Sequence, residues 1–362
     1  MNGKVSRATV ILSCLLLLGL ASGVGAEPVQ ARNHNDKPLT QVSLQLSWLP
    51  QAQFAGYYAA SARGFYKAQG LQVKIKPGGP DASVAQLVAS GNSQFGSLPL
   101  GQILQARDAG IGVQNIAQTL TRPAYRLIFF KKSGIHSIQD LRGKRVGVWP
   151  GTLQLYAALD KYHIKQSDLT LVQQPFTMTT FLDGQLDAAS ATTYNELAQV
   201  IKAGHSVKSI GMIDFNNLGT GFLEDGLFSS TSYLSSAQNR AVSVRFLRAS
   251  FEGWMFCRDH VSACVNIVEK QVPNLDPRLQ TWMMNEINKL IWPNQGGVGY
   301  MPPTGYKTTA DNLFKYHVLK QAASPSSYRS DLWKKAVSGI KGDIKGSNFK
   351  PLRLTEKYLQ GQ

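Results

Sequence analysis

The chain is 362 residues long, 43% hydrophobic and 17% charged, which excludes a disordered polymer and is enough for two domains of ordinary size. Its formal net charge of +16 raises nucleic acid, an anionic surface or an anionic ligand as partners. Lys and Arg are scattered along the chain, however, with no arginine-rich helix and no nucleic-acid module, so the reading is a solvated basic surface and no nucleic-acid partner. His and Cys form no cluster with zinc spacing, and no metal site is expected.

Lys4 and Arg7 precede an apolar run from Val10 to Leu20, and the small residues Val24, Gly25 and Ala26 stand before Glu27. That layout predicts a secretory signal peptide over residues 1–26, cleaved after Ala26, and a periplasmic or otherwise extracytoplasmic mature chain. The run is interrupted by Ser13 and is too short to span a bilayer comfortably. Residues 27–40 read as a flexible mature N-terminus. Cleavage leaves Cys257 and Cys264, and an even pair in an exported protein points to a disulfide.

From Gln41 onward short β-rich runs alternate with helical patterns, the mark of α/β layers with mostly parallel sheets and helices on both faces. Val42, Leu44, Leu46 and Trp48 share one parity on a first strand. A helical stretch with Phe54, Tyr57, Tyr58, Ala62 and Phe65 follows, closed by Gly70 before a strand at Leu71 to Ile75. The chain turns at Pro77-Gly78-Gly79-Pro80, and Asp81 is the expected cap of the next helix, near Val84 to Ala89. A strand around Phe95, a helix from Gln102 to Ala109 and a strand from Val113 to Gln118 complete this half.

The extended stretch Tyr125 to Phe130 leads into a second block. Ser137 to Asp140 has capping-box spacing, Val146 to Trp149 is a strand, and Thr152 opens a helix reaching about Tyr162. Ala188 to Thr192 reads as a strand and Tyr194 to Ala203 as a helix, and the chain returns near Leu227 to Ser230. Beyond Ser235 the signals are helical. The pattern predicts two lobes joined by a double crossover: lobe 1 from 41–124 and 225–362, including a helical C-terminal region, and lobe 2 from 125–224.

Ligands of open α/β sheets bind beyond the carboxyl ends of strands, which nominates four segments. The first supplies Trp48, Gln51, Gln53 and Phe54, with Tyr57 one helical turn from Gln53. Rings beside amides suit a flat, polar-edged molecule, although Trp48 and Phe54 would serve equally as core. The second supplies Trp149, Gly151 and Thr152, a glycine turn at a helix start whose N–H groups can hold a polar acceptor. The third supplies Tyr194, Asn195 and Glu196, where a carboxylate can accept from a ligand amino group or merely cap and solvate its helix. The fourth is Glu224-Asp225-Gly226, from which Asp225 is taken as the cleft carboxylate.

The run SWLPQAQFAGYYAASARGFYKAQGLQVKIKPGGPD from Ser47 to Asp81, with GKRVGVWPG from Gly143 and FLDGQLDAASATTYNEL from Phe181, resembles the NMT1/THI5-like group of periplasmic solute-binding proteins. Nearest in character are those for riboflavin and for the thiamine pyrimidine precursor. The resemblance implies a two-lobed type II periplasmic-binding fold that closes on a small aromatic or heterocyclic ligand, and an ABC permease as partner. It carries the opening tryptophan loop onto Trp48, Gln53 and Phe54, the glycine turn onto Trp149 to Thr152, and a cleft glutamate onto Glu196. A monomer that binds without chemistry and needs no cofactor is the expectation. The group also contains pyrimidine synthases that use a lysine-bound pyridoxal phosphate, a histidine and a cysteine-rich iron site. This sequence departs from them, with no Cys from Leu218 to Ser229 and no His in the opening loop. An exported sensor domain binding the same ligand is the third reading.

Overall fold

A computed structural model of the chain describes residues 38–79 and 81–362. The expected signal peptide, and all of the segment 27–40 before residue 38, lie outside the described residues. Two five-stranded sheets organise the rest. The first contains β1 (Thr40–Gln45), β2 (Leu71–Lys76), β3 (Phe95–Pro99), β4 (Val113–Gln118) and, from much later in the chain, β10 (Asp225–Ser230), in the order β2-β1-β3-β10-β4. The second contains β5 (Tyr125–Phe130), β6 (Arg145–Val148), β7 (Thr170–Gln173), β8 (Ala188–Thr192) and β9 (Ile210–Asp214), in the order β7-β6-β8-β5-β9.

The two sheets share one logic. In each, four strands run the same way and a single strand runs against them: β10 lies antiparallel between β3 and β4, and β5 antiparallel between β8 and β9. These are the two strands that the chain enters directly after crossing from the other lobe. A strand entered at the edge shared by the lobes must run away from it, while the parallel strands run toward it. Antiparallel crossover strands therefore present their first residues, Tyr125 and Asp225, where the others present their last.

Lobe 1 is the more extensively covered. The 23-residue helix Ala237–Asp259 crosses the helix Ala55–Ala62, and the approach is close because both contribute glycine. A Cβ at Gly253 would overlap the Gly56 carbonyl, and one at Gly56 would overlap the Trp254 ring. Phe246 on the long helix stacks on Phe95 of β3, ring centroids 4.0 Å apart, carrying the core from helix to sheet. Cys257 and Cys264 are both buried and bonded to each other, with Cα atoms 5.2 Å apart, tying the end of the long helix to the helix Val261–Gln271.

The structure departs from the sequence reading at three places in the fold. Asp81 caps no helix, because the helix Val84–Ala89 starts three residues later with Ser83 in the cap position. Thr152 likewise precedes its helix, Leu153–Lys161. The C-terminal region, assigned whole to lobe 1, straddles both lobes. Leu313 of the helix Pro303–Lys315 shares a core with Leu100 and Leu104 of lobe 1 and Leu153 and Ala157 of lobe 2. The last helix, Glu356–Gln360, belongs to lobe 2: Leu359 packs with Ile201, and Gln360 Nε2 donates to the Ile201 carbonyl at 3.1 Å. A periodic apolar pattern reports that a helix has a buried face but not which lobe buries it. Among the described residues no helix is long and apolar enough to cross a membrane.

Gly253→Ala forces apart the two helices that cover the first sheet. Overpacking of this kind destabilises by about 1–3 kcal/mol, so a melting temperature several degrees below wild type is expected by circular dichroism, and an unchanged one would show that the crossing is not tightly packed.

Candidate functional site

A cavity of about 710 Å³ lies between the lobes where the carboxyl ends of the parallel strands face the first residues of β5 and β10. Lobe 1 contributes Ser47, Trp48, Gln51, Gln53 and Asp225; lobe 2 contributes Tyr125, Trp149, Gly151, Thr152, Thr192, Tyr194, Asn195 and Glu196, and Glu224 stands at the return crossover. Of the residues expected from the sequence, Trp48, Gln51, Gln53, Trp149, Gly151, Thr152, Tyr194, Asn195, Glu196 and Asp225 line this one cavity.

Phe54 and Tyr57 do not. Both are 1% exposed in the lobe 1 core; the Tyr57 ring meets Trp254 edge-on at 5.5 Å, and its hydroxyl pairs with Thr119 Oγ1 at 3.2 Å. The expectation failed on helical register. Residues Ala52–Phe54 form a 3-10 turn before the α-helix begins at Ala55, so the four-residue spacing from Gln53 to Tyr57 does not keep them on one face.

Rings close the mouth across the lobes. Trp48 of lobe 1 lies 6.0 Å from the Trp149 ring and 5.1 Å, edge-on, from Phe176, both of lobe 2. Tyr125 continues the cluster from Trp149, also at 6.0 Å. Trp149 is positioned by its own turn, in which Gly151 takes φ +79° and Thr152 Oγ1 donates to the Trp149 carbonyl at 2.8 Å.

Beneath the rings are three buried carboxylates. Asp225 accepts from Gln53 Nε2 at 2.6 Å, and Gln53 Oε1 in turn accepts from Gln51 Nε2 at 2.8 Å. Glu224 Oε1 accepts from two backbone N–H groups of the opposite crossover, Ala124 and Tyr125, both at 2.6 Å. Glu196 folds back on its own turn, accepting from Thr192 N at 2.9 Å, Thr192 Oγ1 at 2.7 Å and Asn195 Nδ2 at 2.7 Å. Burial pushes Asp225 up to about 6 against the bonds from Gln53 and Ser47. Burial pushes Glu224 up to about 7, against the two backbone N–H bonds, with the Asp225 charge adding to the rise. Glu196 is raised by burial as well. The Tyr194 hydroxyl, buried and facing all three carboxylates, is held firmly protonated. The site thus offers hydrogen-bond acceptors and ring faces. It suits a flat molecule that brings N–H or amino donors.

Sequence reasoning missed Tyr125 and Phe176 and preferred Asp225 to its neighbour Glu224. The strand-end rule looks to carboxyl ends, whereas Tyr125 and Glu224 sit at the amino ends of antiparallel strands, so the double crossover itself was the available signal. Phe176 stands in a loop after the edge strand β7, and nothing in its local sequence marks it.

A family model described as NMT1/THI5 like matches residues 51–262. The chain is 30% identical over 248 residues to the riboflavin-binding protein RibY of Chloroflexus aurantiacus, the match covering 63% of this chain and 66% of that one. It is 27% identical over 152 residues to the 4-amino-5-hydroxymethyl-2-methylpyrimidine phosphate synthase THI13 of Saccharomyces cerevisiae, covering 41% of this chain and 45% of the synthase. These matches thus span less than two thirds of either relative's length. Among solved structures, the alkanesulfonate-binding protein SsuA of Xanthomonas axonopodis pv. citri aligns with a TM-score of 0.62 at 16% identity, covering 81% of this chain and 99% of that one. The two-lobed α/β fold expected from the sequence is the periplasmic-binding-protein fold.

The raised carboxylates give the empty cleft a pH signature. Where an acid's folded pKa exceeds its unfolded value, the folded state holds the extra proton, so that stability is complete below the unfolded pKa of about 4 and is lost as pH rises through the folded one. The ligand-free protein should therefore melt at a higher temperature at pH 5 than at pH 8. Glu224→Gln, which keeps the Oε1 acceptor and removes the charge, should flatten that slope; a melting temperature that rises across the window would contradict the assignment.

Proposed function

The chain belongs to the NMT1/THI5-like family, and from that premise and the geometry of the cleft we propose that it is an extracytoplasmic solute-binding protein of an ABC importer. It captures a flat nitrogen heterocycle, of the aminopyrimidine or flavin class, between its two lobes. The observation that carries this reading is the pairing of an interlobe ring cluster, Trp48, Trp149 and Tyr125, with three buried carboxylates, Glu196, Glu224 and Asp225. Rings stack on the face of such a ligand and carboxylates accept from its edge. An oxyanion such as a sulfonate would meet acidic groups where it needs donors.

Binding alone is the proposed activity. The ligand touches groups on both lobes, so it favours the closed arrangement over the open one by the contacts that only closure permits. The closed shape is then what a permease recognises. A synthase reading requires a lysine to carry a cofactor, and the one lysine among the described lining residues, Lys320, stands at the far end of the cavity from the carboxylates, after the helix of Leu313. The buried Cys257–Cys264 bond supports an oxidising, extracytoplasmic location.

A thermal-shift screen followed by calorimetry tests the reading, because a ligand that binds only the native state raises its stability by mass action. Riboflavin or 4-amino-5-hydroxymethyl-2-methylpyrimidine should give a saturable shift and alkanesulfonates and nitrate none; shifts with the anions alone would overturn the proposal. Trp48→Ala should weaken the hit by about 2 kcal/mol, roughly 30-fold, with the ligand-free melting temperature close to wild type.

A further inference from the structure

The cavity is larger than the ring-and-carboxylate site. It continues out of the cleft along lobe 1, between the helices Val84–Ala89 and Leu100–Asp108, and ends at Val318 and Lys320. The two helices lie side by side on one face of the first sheet, sharing a core of Val84, Val88, Ile103 and Phe228. Over that core the groove is walled by small residues, Ala85 and Ala109, and by the amides of Gln86 and Gln105. Gln102 stands at the junction with the cleft, its side chain filling the space that a Cβ on Gly151 would occupy. The far wall is pinned in place: Asp108 accepts from the backbone N–H groups of Lys320 and Gln321, both at 3.0 Å.

We propose that this groove is a second subsite, which receives a hydroxylated chain carried by the heterocycle. The inference rests on the functional reading above and narrows it to a ligand with a polyol tail. The two parts of the cavity read different chemistry. In their ionised form the carboxylates accept only, and suit ring N–H groups. Glutamine amides both donate and accept, as does the Ser83 hydroxyl, which makes no capping bond to its helix; this matches the hydroxyl group, which also does both. Alanine walls leave width for a chain and present apolar surface to its C–H face. A single ring seated among Trp48, Tyr125 and the carboxylates would leave the groove empty, whereas a chain substituted on the ring runs past Gln102 into it.

The test compares riboflavin with lumiflavin, which has the same ring system and a methyl group in place of the polyol chain, by titration calorimetry on wild type and on Ala85→Phe and Ala109→Phe. Ala109 is exposed and Ala85 half-buried against the core below the groove; both lie away from the carboxylates, and melting temperatures verify that the variants fold. Two or three tail hydrogen bonds should give wild type a preference for riboflavin of about tenfold or more. The phenylalanine variants should lose that preference while binding lumiflavin as wild type does. Equal affinity of wild type for the two flavins, or an equal loss of both in the variants, would overturn the groove assignment and leave the cleft reading intact. Failure of both flavins to bind wild type would overturn the flavin form of the functional reading, and the tail subsite with it.

Discussion

The structure turns on one carboxylate. Glu224 Oε1 takes the backbone N–H groups of Ala124 and Tyr125 together, so the strand returning to lobe 1 is fastened to the strand leaving it. Gln118 Nε2 reinforces the same crossing by donating to the carbonyls of Leu120 and Glu224. Burying a carboxylate is expensive unless donors surround it, and here the donors are hinge backbone groups that only a proline substitution would remove. The hinge and the floor of the cleft are therefore one object. A group bound at Glu224 would touch the crossover between the lobes directly.

The C-terminal region also joins the two lobes. Thr121 N donates to the Leu290 carbonyl at 3.2 Å and Trp282 Nε1 to the Thr193 carbonyl at 3.3 Å, so the helix Pro277–Ile291 bears on both lobes behind the hinge. Leu313 is wedged between helices of the two lobes. Packed cores shear poorly, so these contacts resist displacement of one lobe against the other. In the arrangement seen, Trp48 already touches Trp149 and Phe176 across the mouth. These are contacts between protein groups themselves, to which a bound ligand would add its own.

Much of this was legible in the sequence because it is written locally. The strands Val113–Gln118, Tyr125–Phe130 and Ala188–Thr192 follow from apolar runs between turn residues, and Gly151 announces a turn that needs a positive φ. The site segments follow from the rule that ligands sit beyond strand ends. The failures have two causes, one local and one topological. Phe54 and Tyr57 face the lobe 1 core because a 3-10 turn, Ala52–Phe54, precedes the α-helix and breaks the assumed helical spacing. Tyr125 and Glu224 reached the cleft through the antiparallel sense of crossover strands, which is a property of the whole topology. Leu359 found its core in lobe 2 although its segment follows lobe 1 in sequence.

The charge of the molecule shows how little a global property says about a site. The chain as a whole carries +16, yet the inner cleft gathers Glu196, Glu224 and Asp225. Exposed charges are screened over about 8 Å at physiological ionic strength, whereas the cleft carboxylates are buried and act at contact distance. The net charge therefore describes the surface, and the acidic groups describe the interior of the cleft. Burial raises the same carboxylates, and donors brought against them favour their ionised form.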